Sequence, residues 1–485
     1  MPTFSIENFG CRATFADTAA IERQLLDRGL VRTGEHRDAE IVVLNTCTVT
    51  AAADAQARDA IRHIHAANRG ARIVVTGCYA QRAPDELAQL EGVAWVVGNS
   101  HQSEIPNLAA SIVSDAAPSA SPSDFVPAAF LSDGGMSLAR GPAKILTGDI
   151  FAQTTVLLAS VEGGEAERTR PTLKIQDGCN NRCSYCVIPF VRGNSRSLEP
   201  NHVVSEIARL VAAGIREVVL SGINLGSYGR DFTPRVPLDL VLRRVLAETP
   251  LESLRLSSIE PMDVTRDFVE LLASHPRIAP HFHMPLQSAS NPVLRAMHRW
   301  YRAEHYERRV EVIREFLPHA AIGADVIAGF PGESEDDFRA TFEFIDRLPF
   351  TYLHVFSFSP RPGTAAAHLL NELPPGVIHE RARRLRELGA RKAAAFRVAQ
   401  AGRTLRALTL KPKKAGVTEI LTGNFLKLRV AGTWPANLWL DVRVEADGCA
   451  GLVGPSDLIA SATNAIGIVA EPAAAAAREN AIAAN

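Results

Sequence analysis

Cys179, Cys183 and Cys186 stand at a Cys-x3-Cys-x2-Cys spacing within Lys174-Ile-Gln-Asp-Gly-Cys-Asn-Asn-Arg-Cys-Ser-Tyr-Cys-Val-Ile-Pro189. Three thiolates this close can hold three corners of a four-iron, four-sulfur cluster and leave the fourth iron without a protein ligand. That iron is open to a substrate. A structural zinc ion is the other reading, but such sites are closed by four ligands, usually two Cys-x2-Cys pairs, and no nearby Cys or His completes a set. Gly178 and the Asn180-Asn181 pair suit a tight turn that brings the three sulfurs to one side.

Three further cysteines precede residue 100, and each follows a short apolar run. Ser5-Ile-Glu-Asn-Phe-Gly leads to Cys11, Ile41-Val-Val-Leu-Asn-Thr to Cys47 and Arg72-Ile-Val-Val-Thr-Gly to Cys78. The runs read as buried strands, with helical patterns over Ala16 to Arg28 and Ala51 to Asn68 between them. Strand, helix, strand implies a parallel α/β sheet, and in such sheets the carboxyl ends of the strands share one edge. Cys11, Cys47 and Cys78 are therefore expected to converge on a second cluster, although each one taken alone could be an inert buried thiol.

The 485 residues, 46% of them hydrophobic, suit a globular chain of several domains. Seven cysteines are too few and too unevenly spaced for a disulfide framework, which favours a reducing compartment. Met1-Pro-Thr-Phe-Ser-Ile-Glu-Asn8 has no basic stretch followed by an apolar core, and no apolar run approaches a membrane span, so a cytoplasmic protein without membrane contact is expected. A net charge of -1 gives no global attraction to nucleic acid. Any RNA contact must use local basic patches.

From residue 169 to 400, strands at Leu173 to Gln176, Glu217 to Asn224, Arg255 to Ile259, His281 to Gln287, Ile322 to Ala328 and Tyr352 to Ser359 alternate with helical patterns, which predicts an incomplete six-stranded (β/α) barrel. Polar or Gly-rich residues follow those strands, as in Ser221-Gly-Ile-Asn224 and Ser257-Ser-Ile-Glu260. Residues 401 to 470 alternate as Phe425-Leu-Lys-Leu-Arg-Val430 and Leu438-Trp-Leu-Asp-Val-Arg-Val444, as in a small antiparallel β-barrel. Residues 1 to 112 form the expected first domain, and 113 to 168 read as a linker or insert, rich in Ala, Ser and Pro in its first half. Residues 471 to 485 read as a tail. The helical pattern His379 to Lys392 is basic, suiting either an RNA approach or a solvated face with Glu-to-Arg pairs, and Cys449 reads as a packed thiol.

The cysteine triplet with Tyr185 before its last member resembles the signature of radical S-adenosylmethionine (AdoMet, SAM) enzymes. The wider chain resembles the radical SAM methylthiotransferases, through Asn45-Thr-Cys-Thr-Val49, Val75-Thr-Gly-Cys-Tyr-Ala-Gln81, Pro189-Phe-Val-Arg-Gly-Asn-Ser-Arg-Ser197, His283-Met-Pro-Leu-Gln-Ser288, Asp325-Val-Ile-Ala-Gly-Phe-Pro-Gly-Glu333 and His354-Val-Phe-Ser-Phe-Ser-Pro-Arg-Pro-Gly-Thr364. Two positions depart from the family pattern: Thr14 where Asn is usual, and Ala289 where Gly is frequent.

The resemblance implies two 4Fe-4S clusters. One is held by Cys179, Cys183 and Cys186 and cleaves AdoMet reductively; the other is held by Cys11, Cys47 and Cys78 and carries the sulfur that AdoMet methylates. It implies an AdoMet pocket formed by Tyr185, Ser221, Gly222, Ser258, Glu260, Gln287, Gly329 and Phe330. It also implies that residues 401 to 470 resemble a TRAM domain that meets tRNA phosphates through Lys411, Lys413, Lys414, Lys427 and Arg429, for which a solvated basic face is the alternative. Ser221-Gly-Ile-Asn-Leu-Gly-Ser-Tyr-Gly229 and Leu256-Ser-Ser-Ile-Glu-Pro261 look most like the MtaB-like branch, whose substrate is N6-threonylcarbamoyladenosine beside the anticodon. The branches acting on isopentenyladenosine in tRNA or on a ribosomal-protein aspartate are the alternatives within the family. An RNA-binding iron-sulfur redox protein without turnover is the alternative outside it. The expected partners are tRNA and an electron donor such as flavodoxin or ferredoxin, with the enzyme itself a monomer.

Overall fold

The computed structural model describes residues 1–114, 143–157, 169–411, 416–444, 450–455 and 467–468. Strands β1 (Thr3–Phe9), β2 (Val31–Arg32), β3 (Ile41–Thr46), β4 (Arg72–Gly77), β5 (Val93–Gly98) and β6 (Lys144–Leu146) form an all-parallel sheet in the order β2-β1-β3-β4-β5-β6. The central strand β3 is buried along its whole length, which is why its sequence is a continuous apolar run and not an alternating one. The helix after β3 spans Ala51–Ala67 and is capped by Thr50, whose hydroxyl accepts from the Ala53 N–H at 3.2 Å. The helix after β1 spans Arg12–Asp27, four residues earlier than its apolar pattern begins. There the Thr14 hydroxyl donates to the Cys11 carbonyl at 2.7 Å and holds the first turn. Within the stretch read as a linker, residues 144–146 add the sixth strand to this sheet.

The middle of the chain carries β7 (Thr172–Asp177), β8 (Arg196–Ser197), β9 (Glu217–Gly222), β10 (Ser253–Leu256), β11 (His281–His283), β12 (Ala321–Ala328) and β13 (Tyr352–Ser357). Apart from the short antiparallel β8 beside β7, neighbours pair in parallel as β10-β9-β7 and β11-β12-β13. Single bridges Leu254 to Ile278 and Ser258 to His283 join the two groups into an open six-stranded (β/α) barrel. The strand expected over His281 to Gln287 stops at His283, because Pro285 has no N–H to give the ladder and Gln287 adopts φ +61°. Ala289 donates its N–H to the Thr341 hydroxyl at 3.1 Å in ordinary backbone geometry, so this position does not need glycine.

Strands β14 (Thr404–Thr409), β15 (Val417–Thr422), β16 (Lys427–Ala431), β17 (Trp439–Val444), β18 (Ala450–Pro455) and β19 (Gly467–Ile468) form an antiparallel sheet in the order β16-β15-β14-β17-β18-β19. It curls into a half-barrel, so that β16 nears β18 and β19. A turn of this sheet closes the amino-terminal mouth of the large barrel. Phe425, held at φ +63°, stacks on His281 with centroids 4.3 Å apart, and Arg255 donates to the Gly423 carbonyl at 2.9 Å. The helix Pro375–Ala399 links the two units, and many of its basic groups are engaged: Arg381 pairs with Glu333 at 2.7 Å, and Arg383 lies between Glu380 and Glu387. Among the described residues no helix is long and apolar enough to cross a membrane.

Candidate active site

The first three cysteines meet as their strand positions require. Thr46 is aligned with Phe9 on one side and Gly77 on the other, so Cys11, Cys47 and Cys78 follow three adjacent strands at one edge of the sheet. Cys47 and Cys78 are buried, and Cys11 is exposed. Burial pushes the Cys47 thiol up, and negative charge on Cys11 and Cys78 pushes it further. Cys78 is raised mainly by burial as well, while the Arg192 guanidinium opposes the shift. Asn99 Nδ2 sits 3.6 Å from Cys78 Sγ. Clustered thiols that suppress one another's ionisation need a bound cation before they become thiolates, which an iron centre provides.

The second triplet lies on the loop after β7. Gly178 turns the chain at φ +68°, and a Cβ there would lie 1.9 Å from the Asn194 carbonyl oxygen, so only glycine fits. The Cys179 N–H donates to Gly193 O at 3.0 Å, Asn180 Oδ1 accepts from the Ser195 N–H at 2.9 Å, and the Ser184 hydroxyl donates to Ala296 O at 2.7 Å. The loop is thus pinned on two sides. Burial raises the Cys179 thiol, and burial followed by the neighbouring Cys183 pushes Cys186 up to about 12. Arg299 Nη1 donates to Cys183 Sγ at 3.4 Å. Gly178→Ala is expected to remove the iron bound by this loop, measured as iron per chain after anaerobic reconstitution, because the added methyl meets backbone that cannot yield.

Each triplet offers three cysteine sulfurs, a donor set that suits a four-iron cluster with one open iron better than a zinc site closed by four protein ligands.

Between the two triplets lies a cavity of ≈ 190 Å³. Val49 and Thr50, just after Cys47, form one wall; Tyr185, Cys186 and Ile188 form another; Gln287, Asp325 and Phe356 close it from the barrel. Buried ion pairs fix the sheet and the barrel around it. Lys174 and Arg192 both pair with Asp17 and Asp177, and Arg361 pairs with Asp54. Arg192 therefore connects the barrel loop, through Asp17, to the helix that follows Cys11.

The residues expected to hold AdoMet divide by location. Tyr185 and Gln287 line the cavity. Glu260, raised by burial, is ion-paired with Arg299 and so stands beside Cys183. Ser221 is buried in β9, and Gly222 is hemmed in by Gln176, whose Oε1 would lie 2.7 Å from an added Cβ. Ser258 Oγ lies 2.6 Å from His283 Nδ1. Gly329 donates to Glu333 Oε2 at 2.9 Å, and Phe330 packs against Phe358 with centroids 5.5 Å apart, so both support the barrel top from behind. Sequence reading missed Arg192, Arg299, Asp17 and the side chains of His283, Asp325 and His354. Four of these lie inside the quoted motifs, where an ionisable residue amid apolar neighbours was the available signal.

Of the expected RNA contacts, Lys413 and Lys414 lie outside the described residues, as do Cys449 and residues 469–485. Lys411 is exposed two residues beyond the end of β14. Lys427 and Arg429 project from one face of β16, where Glu419 is the cross-strand neighbour of Arg429 and pairs with Lys427 at 3.3 Å. That face is therefore only partly basic.

Residues 3–98 match the uncharacterized protein family UPF0004, and residues 173–345 match the radical SAM superfamily. Across most of its length the chain is 36% identical to the threonylcarbamoyladenosine tRNA methylthiotransferase MtaB of Aquifex aeolicus, covering 88% of this chain and 96% of the relative. It is 34% identical to MtaB of Bacillus subtilis, over 79% of this chain and 80% of the relative. A tRNA-2-methylthio-N(6)-dimethylallyladenosine synthase of Streptomyces coelicolor is 33% identical over 87% and 79%. In fold, the chain is similar to the radical S-adenosylmethionine methyltransferase TsrM of Kitasatospora setae, solved with cobalamin and a [4Fe-4S] cluster, at TM-score 0.51 and 18% identity over 76% of this chain and 77% of that one. With a parallel sheet and an open barrel facing each other across one cavity, and with the Aquifex relative matched over 96% of its length at 36% identity, the chain belongs to the radical SAM methylthiotransferase family.

Proposed function

We propose that this enzyme converts N6-threonylcarbamoyladenosine beside the anticodon of tRNA to its 2-methylthio derivative. One observation carries the reading: a single cavity has Cys186 in its wall on one side and, on the other, the two residues that follow Cys47 by two and three positions. A target carbon held there meets both cysteine centres. When bound, the cluster of Cys179, Cys183 and Cys186 supplies reductive cleavage of AdoMet and hence a carbon radical able to take hydrogen from an adenine carbon.

The chain's own residues set the conditions for that step. Arg299 places positive charge against Cys183, Tyr185 and Ile188 shield the cavity from water, and Gln287 and Asp325 offer the bound base polar partners. Cys11, Cys47 and Cys78 would hold the second 4Fe-4S cluster, which would supply the sulfur that is inserted. Anaerobically reconstituted enzyme is then expected to contain about eight irons per chain, twice the content of one cluster. A content near four that survives replacement of Cys11, Cys47 and Cys78 would remove the second cluster from the reading.

Residues 401–470 would hold tRNA as a TRAM-like unit, in a cytoplasmic enzyme reduced by flavodoxin or ferredoxin. Replacing Lys411, Lys427 and Arg429 by Gln is expected to weaken tRNA binding and to flatten its salt dependence by roughly one unit for each phosphate no longer neutralised. Point substitutions are the right probe, because deleting the unit would pull Phe425 out of the barrel mouth. Nucleoside mass spectrometry of tRNA from a deletion strain tests the substrate directly. Loss of 2-methylthio-N6-threonylcarbamoyladenosine is expected; loss of the dimethylallyl derivative instead would move the enzyme to the branch of the Streptomyces relative.

A further inference from the structure

Beneath the cavity, on the inner face of the barrel, three side chains from three adjacent strands point at one spot. His283 ends β11, Asp325 sits in β12, and His354 lies directly across from Asp325 in β13. His283 Nε2 and His354 Nδ1 approach the same carboxylate oxygen, Asp325 Oδ1, at 3.0 and 3.1 Å. All three ligand atoms lie within 4.8 Å of one another. We propose that His283, Asp325 and His354 bind a divalent metal ion of the manganese or iron(II) class, separate from both cysteine centres.

Two observations favour an ion over a plain hydrogen-bonded cluster. First, His283 is about nine-tenths buried, and its Nε2, although close to Asp325, makes no hydrogen bond. Its other nitrogen is engaged by Ser258 Oγ at 2.6 Å. In the tautomer in which Nδ1–H donates to Ser258 Oγ, Nε2 presents its lone pair on the side of Asp325, as a metal ligand would. A polar partner on the far nitrogen of a metal-binding histidine fixes the tautomer in this way.

Second, the spacing matches a particular geometry. With metal-ligand bonds of about 2.1 Å, atoms 3.0 and 3.1 Å apart subtend about 90 to 95° at the ion. That is the cis angle of an octahedral centre, narrower than the tetrahedral angle zinc prefers. Two imidazoles and one carboxylate would leave the remaining positions to oxygen ligands, water first among them, and Asp325 also lines the cavity, giving the ion a path in. The inference does not depend on which nucleoside the enzyme takes.

Manganese(II) is the appropriate probe, because it binds thiolate sites poorly and because iron at this spot would be lost in the cluster count. Anaerobically reconstituted enzyme, washed with chelator, would be titrated with manganese(II) and the free-ion electron paramagnetic resonance signal followed. One bound ion per chain is expected. Asp325→Asn and His354→Gln should weaken binding about 100-fold or more, and Ser258→Ala, which frees the ring of His283, about 10- to 100-fold. Iron content reports whether each variant still folds around its clusters. The wild-type titration decides without any variant: no manganese bound at millimolar concentration overturns the site, and so does binding that Asp325→Asn and His354→Gln leave unchanged in variants of normal iron content.

Discussion

Cys183→Ala is expected to abolish formation of 5'-deoxyadenosine, while Cys47→Ala keeps it. Cys183 belongs to the loop pinned by Gly178, Asn180 and Ser184, and its sulfur takes the hydrogen bond from Arg299. Losing that thiol leaves the loop two ligands, too few to hold a four-iron cluster. Cys47 lies across the cavity on a different sheet, positioned by β3 and not by the barrel loop. Its loss should stop methylthio insertion and leave reductive AdoMet cleavage within a few-fold of wild type. The measurement is 5'-deoxyadenosine and methylthio product quantified together under anaerobic reduction. A Cys47 variant that is folded, holds its barrel iron and yet cleaves no AdoMet would contradict this division of labour.

The second large effect concerns how the two halves are held together. Asp17, from the helix after Cys11, is fully buried and receives Lys174 and Arg192, both from the barrel side, with Arg192 at 2.8 Å. Asp17→Ala leaves Lys174 and Arg192 to share Asp177 with Arg196, three buried cations on one carboxylate. Breaking a buried network by removing one partner costs about 3–5 kcal/mol, so a clear fall in the thermal or denaturant midpoint is expected, and replacing the exposed partners Arg62 or Asp59 should have almost no effect.

The same network fixes the direction of the acid response. Burial alone would raise Asp177, but Lys174, Arg192 and Arg196 outweigh it and hold the carboxyl below its ordinary value of 3.8. A depressed folded-state pKa means that this contribution is complete above about pH 4 and shrinks as pH falls below it. Stability that rose between about pH 4 and pH 3 would be inconsistent with an ionised Asp177.

Much of this architecture is written locally. Strands β9 and β12 are largely apolar before they give way to polar or glycine residues, because a strand covered by helices is apolar along much of its length while the end that meets ligands need not be. The cysteine spacing at 179–186 specifies its own loop, and Gly178 with it, since one steric requirement of the turn admits a single residue type. Cys11, Cys47 and Cys78 group together on sequence grounds alone, because parallel topology places strand ends on one edge.

What the sequence leaves open depends on contacts between segments far apart in the chain. β6 is three residues long and has no periodicity of its own; only the edge of β5 makes it a strand. Phe425 reads as one more sheet residue until tertiary packing places it on His281 in the barrel mouth. Asp17, Lys174 and Arg192 look like ordinary charges, and their meaning comes from being buried together, because charge pairing is fixed by distance in space and not in sequence. His283, Asp325 and His354 belong to three separate motifs, and strand register alone brings their ligand atoms to one point.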